Sequence, residues 1–101
     1  MSIIEVNLSY IKELCQLHYV KRLAVFGSIL TERFNQNSDV DLLVDFENSD
    51  PDNFDYVENY LDFKDALERL FDRKVDLLEE KGLRNRFLIS NINRTKQIIY
   101  G

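Results

Sequence analysis

Tryptophan is missing from this 101-residue chain, and cysteine, histidine, proline and methionine occur once each. A single thiol, Cys15, excludes an internal disulfide and a cysteine-built zinc site. No run of apolar residues approaches the length needed to span a bilayer, and the N-terminus lacks a basic segment followed by an apolar core. These absences predict a cytosolic, soluble protein, and 101 residues predict a single domain over 1–101. Basic residues are also short: 13 against 18 acidic ones give a formal net charge of -5. That balance argues against direct nucleic-acid binding, which needs a basic face to gain from counterion release. Basic residues do collect late, with Lys81, Arg84, Arg86, Arg94 and Lys96 unopposed by any acid. They form either a solvated helix face or a surface for a partner or phosphate.

What is present is a regular alternation of elements. Leu8, Ile11, Leu14, Cys15 and His18 fall at helical spacing and predict a helix over 8–19, capped by Asn7 or Ser9. His18 lies on that apolar stripe, so a satisfied, partly buried role is expected for it. Arg22 to Phe26 reads as a buried strand ended by Gly27, with a short helix from Ser28. Asn35 to Ser38 reads as a turn, Asp39 to Phe46 as a second strand and Asn48 to Asn53 as a loop. Val57, Tyr60, Leu61, Leu67, Leu70 and Phe71 mark a long helix, with Tyr56 and Tyr60 expected to pack rather than to stack on a base. Lys74 to Leu78 is a third strand, Gly82 a break, and Leu83 to Tyr100 mostly helical. The expected fold is α/β (α+β), a small mixed sheet flanked by helices.

Two aspartates head the second strand in "SDVDLLVDF". Strand geometry sends Asp39 and Asp41 to one face and Val40 and Leu42 to the other. Asp45 shares that parity, but near the strand's end it is expected to be solvated. The third strand repeats the device, with Asp76 between Val75 and Leu77. Were the strands neighbours, three carboxylates would converge, and partly buried anions repel unless protonated or bridged by a cation. Ligands that are all oxygen favour Mg²⁺ or Mn²⁺ over zinc. Two such ions, held by Asp39, Asp41 and Asp76, would suit phosphoryl-type transfer, with Asp76 beside the nucleophile. Gly27 after a strand allows close phosphate approach, and Ser28 adds a hydroxyl and the start of a helix. The plain alternative is a capped turn at Asp39 and Asp41 and a strand-edge charge at Asp76. It leaves Gly27-Ser28 as an unrelated coincidence.

Gly27-Ser28, ten residues, Asp39-Val40-Asp41 and a later strand aspartate together resemble the DNA-polymerase-β nucleotidyltransferase superfamily. More narrowly, they are similar to its minimal nucleotidyltransferases, antitoxins encoded beside HEPN-domain ribonuclease toxins. The resemblance extends to the closing "LRNRFLISNINRTKQIIYG". It implies the minimal polymerase-β-like fold, ATP as substrate, two Mg²⁺ ions and AMP transfer to a tyrosine of a HEPN partner in a hetero-oligomer. It also implies Gly27 and Ser28 on the nucleotide phosphates and Asp39, Asp41 and Asp76 on the metal ions. One departure is visible. Many relatives carry arginine where this chain has Thr31, and here Arg33 comes two residues later, either as a displaced phosphate contact or as a surface residue. Two other functions fit the same residues: an inactive antitoxin that neutralises by binding alone, or a transferase acting on another protein or a small molecule.

Overall fold

The computed structural model describes residues 2–47 and 54–101. The expected loop at Asn48 to Asn53 lies outside them. In chain order the elements are α1 (Ser2–Val6), α2 (Leu8–Leu17), β1 (Val20–Phe26), a 3-10 turn (Gly27–Leu30), β2 (Val40–Phe46), α3 (Phe54–Phe71), β3 (Val75–Glu79), a second 3-10 turn (Glu80–Gly82), α4 (Arg86–Thr95) and β4 (Gln97–Tyr100). One four-stranded sheet results, in the order β3-β2-β1-β4. β2 runs antiparallel to β1 and parallel to β3, so the sheet is mixed.

β2 is buried along most of its length because it is a central strand, although Asp41 and Asp45 alternate with Leu43 on one of its faces. Val40, Leu42, Val44 and Phe46 meet Ile11, Cys15, Phe63 and Leu67 in the main core. Ala24, Phe26 and Leu43 turn the opposite way and meet Ile92 of α4 in a smaller cluster. Helices α1 to α3 thus cover one face, and α4 covers part of the other. Burial pushes the Cys15 thiol up to about 12, which leaves it a small apolar filler with no nucleophilic character at neutral pH.

Four expectations need correction. The C-terminal segment is not one helix: α4 ends at Thr95, Lys96 adopts φ -61°, ψ 151°, and β4 pairs antiparallel with β1. A short α1 precedes the first expected helix, which itself stops at Leu17. Asn7 stands at the N-cap of α2, but its side chain donates back to the Ile3 carbonyl (2.9 Å) instead of accepting from the helix. Asp45 is only 7% exposed, with Lys81 Nζ 3.4 Å from Oδ1 and Arg22 3.8 Å from Oδ2. Those two cations compensate a carboxylate that burial would otherwise penalise heavily.

His18 is partly buried, with Nδ1 2.9 Å from Asn59 Oδ1 and its ring against Phe63. The outer edge of β3 is covered by α3: Glu68 accepts from the Val75 N–H (3.0 Å), and the Tyr60 hydroxyl donates to the Leu77 carbonyl. That use of side chains closes a sheet edge that would otherwise invite another strand. Among the described residues, no helix is long and apolar enough to cross a membrane.

Candidate active site

β1 ends in extended geometry at Phe26, and the chain then turns through Gly27 at φ +79°. Glycine takes this left-handed conformation without steric cost. It is also required by space: a Cβ on Gly27 would run into Asp41 Oδ2 and sit 3.1 Å from Asp41 Cγ. The corner therefore presses its backbone against the Asp41 carboxylate. The expected helix from Ser28 is a four-residue 3-10 turn, too short to carry much of a dipole. Ser28 instead supplies a backbone hydrogen bond to Asp41. Thr31 closes the turn, donating to the Ser28 carbonyl through both its N–H (2.9 Å) and its hydroxyl (2.7 Å).

Asp41 lies opposite Phe26 on one side and opposite Asp76 on the other, as Cα partners in the ladders. Paired residues of neighbouring strands share a face, with strands about 4.8 Å apart. Asp39, two residues earlier, has the same parity at the entrance to β2. Asp41 is half-buried, whereas Asp39 and Asp76 are exposed. Burial, then Asp76, then Asp39 raise the Asp41 pKa above the usual carboxylate range, opposed by the Ser28 hydrogen bond. The three acids therefore share one electrostatic neighbourhood, and the Gly27-Ser28 corner adjoins it.

Among the described residues, no three histidine, cysteine, aspartate or glutamate side chains close into a metal cage. This donor set suits magnesium nonetheless. That ion keeps several waters and takes one or two carboxylates together with substrate phosphates. Arg33 stands exposed on the loop after the 3-10 turn, where its backbone, bonded to Thr31 and Asn35, makes the structural contacts.

Arg73 is a positioning residue that the sequence reading missed. From the turn between α3 and β3 it donates to the carbonyls of Asn35 and Ser38, both at 3.0 Å, and its guanidinium lies 4.7 Å from the Phe34 ring centroid. It thereby anchors the loop that delivers Asp39. Its place two residues before β3 was the only signal, and a lone arginine near a strand start has many uses.

Two cavities flank the acids without containing them. One, of about 550 Å³, lies between Gly27, Leu30 and α4. The other, of about 360 Å³, lies between α3 and β3 around Tyr56, Val57, Tyr60 and Leu83. Neither cavity is lined by Asp39, Asp41 or Asp76.

The chain resembles known proteins over most of its length. Residues 9–99 match the family described as "Nucleotidyltransferase domain". MJ1379 of Methanocaldococcus jannaschii, provisionally named a protein adenylyltransferase, is 32% identical over 93% of this chain and 97% of its own length. A solved structure provisionally described as a minimal nucleotidyltransferase is 30% identical, covers 93% of this chain and 90% of its own, and superposes with a TM-score of 0.74. The Shewanella oneidensis complex of a tri-AMPylated HEPN toxin with an MNT antitoxin includes a chain of the same fold, at 16% identity and TM-score 0.67, covering 96% of this chain and 71% of that one. The chain belongs to the minimal nucleotidyltransferase family.

Proposed function

We propose that this chain is an antitoxin that transfers AMP from ATP to a tyrosine of a HEPN-domain ribonuclease toxin and so neutralises it. The observation that carries this reading is the in-register pairing of Asp41 with Asp76, beside a corner where φ +79° and the nearby Asp41 carboxylate favour glycine. The names of the relatives support the adenylyl group and the HEPN partner.

In the proposed reaction the acceptor oxygen forms a bond to the α-phosphorus of ATP. The bond from that phosphorus to the bridging oxygen breaks, and pyrophosphate leaves. Asp76 takes the proton of the acceptor hydroxyl. Asp39 and Asp41 would hold both Mg²⁺ ions, and Asp76 the one beside the acceptor. When bound, the ions neutralise charge on the attacking and leaving oxygens. Gly27 lets the phosphates approach the backbone, and the Ser28 hydroxyl donates to them. Arg33, the first cation after the corner, would balance the departing pyrophosphate.

The test is incubation with ATP labelled at the α-phosphate, Mg²⁺ and a HEPN-domain protein as acceptor. Label is expected on a partner tyrosine, and Asp39→Ala or Asp41→Ala should each slow its appearance by about 10²–10³-fold or more. Full neutralisation of the toxin by both variants without label would mean that binding alone is the function.

A further inference from the structure

The acids are arranged in a line across the sheet, and that line has a direction. Its order is Asp76 on β3, Asp41 on β2, then the Gly27-Ser28 corner at the end of β1. Phosphoryl-type transfer places the attacking and leaving oxygens roughly in line on opposite sides of the phosphorus. With pyrophosphate at the corner, the attacking hydroxyl comes from the far side of Asp76. β3 is an edge strand, so that approach crosses the outer border of the sheet.

The cavity of about 360 Å³ lies on this border. Its size is at the low end for ligand pockets, about 300–1,000 Å³, and suits one large side chain. Tyr56, Val57, Tyr60, Leu78 and Leu83 make most of its wall. Leu77, which directly follows Asp76 on β3, also lines this cavity, and its carbonyl accepts from the Tyr60 hydroxyl in the same wall. Beyond Val57, a second hollow of about 280 Å³ continues along α3 past Glu58, Leu61 and Asp62. Val57 and Leu61 are 48% and 55% exposed, an apolar pair four residues apart on one helix face.

Two observations select the occupant. An added β-strand is disfavoured, because Glu68 and Tyr60 already engage the outward N–H of Val75 and carbonyl of Leu77. A nucleic-acid end is disfavoured by charge, since Glu58, Asp62 and Glu79 line the groove and would repel phosphates. Glu79 Oε1 is moreover buried without a hydrogen-bond partner, leaving an acceptor unused in the cavity wall.

Resting on the transfer reading above, we infer that the α3–β3 groove is the acceptor's docking site: the cavity seats an aromatic, hydroxyl-bearing side chain of a protein, and Val57, Leu61, Glu58 and Asp62 receive its basic, apolar flank. Aromatic anchors in apolar pockets are the usual centres of such interfaces.

The test uses the intact chain and a HEPN-domain protein that it labels in the transfer assay above. Val57→Lys combined with Leu61→Lys changes only exposed positions. It should weaken the complex at least about tenfold, because two apolar contacts are replaced by charges that repel the partner's basic flank. Leu83→Trp fills the cavity and should abolish transfer. In both variants the melting-temperature rise with Mg²⁺ and a non-hydrolysable ATP analogue should equal that of the wild type, which separates docking from nucleotide binding. Unchanged affinity in the double lysine variant, or undiminished transfer by Leu83→Trp, would overturn the docking site. Absence of any nucleotide-dependent rise in the wild type would instead overturn the transfer reading, and the affinity measurement would still decide the docking surface.

Discussion

Replacing Gly27 by alanine is expected to lower both stability and activity, by an amount unusual for so small a change. The backbone there has φ +79°, which costs a residue with a Cβ about 1–2 kcal/mol. The new methyl also overlaps the Asp41 carboxylate, so either the corner or the strand must shift, at a further cost of about 1–3 kcal/mol. A loss of about 2–5 kcal/mol corresponds to a fall in Tm on the order of 10 °C or more for a domain of this size. Activity should fall by about 10²-fold or more, because the displaced group is an acid of the candidate site. Thermal melts of Gly27→Ala, Asp41→Ala and the double variant check the cause. In the double variant the carboxylate overlap is gone and the backbone strain remains, so Gly27→Ala should cost less in the Asp41→Ala background than in the wild type. Additive losses, or a Gly27→Ala protein that melts like the wild type, would contradict the corner described here.

Asp41→Asn should show the opposite pairing of effects: transfer slowed on the order of 10³-fold, with a more stable protein. The Asp41 carboxylate is partly desolvated and faces the charges of Asp76 and Asp39, and only the Ser28 hydrogen bond favours its ionised form. Asparagine keeps the shape and an acceptor for Ser28 but removes the charge. The gain is about 1 kcal/mol once solvent screening of a half-exposed group is allowed for, or roughly 4–8 °C in Tm. Its pH dependence has a definite sign. A folded-state pKa above the unfolded one means that the native protein holds this proton more tightly, so ionisation of Asp41 destabilises as pH rises. The advantage of asparagine should therefore be full above the raised Asp41 pKa. It should shrink as pH falls through that pKa and be gone below the unfolded carboxylate range. Paired melts of wild type and variant across acid to neutral pH measure this difference. A variant advantage that grows towards acid would contradict the electrostatics of the site.

The parts legible from sequence were those with local causes. Alternation placed Asp39 and Asp41 on one face, and Val75-Asp76-Leu77 repeated the pattern one strand away. Gly27 marked the end of β1 because few residues other than glycine turn that way. The parts that were missed depend on distant partners. β4 has the apolar Ile98 and Ile99, and Ile99 falls seven residues after Ile92, so helical spacing absorbed it. Only pairing with β1 makes that segment a strand. Asp45 looked like a strand-end charge until Lys81, far along the chain, closed over it. Arg73 acts on a loop 35 and 38 residues away. The helix expected at Ser28 is a 3-10 turn, closed when the Thr31 N–H and hydroxyl both bond the Ser28 carbonyl.

The most direct test of the central claim is where a nucleotide-bound divalent ion sits on this chain. In amide NMR spectra, Mn²⁺ added with a non-hydrolysable ATP analogue broadens only signals close to the ion. The account requires broadening centred on Gly27, Ser28, Asp39, Asp41 and Asp76 together. Broadening centred elsewhere, or at Asp39 and Asp41 with Asp76 and the corner untouched, would contradict it.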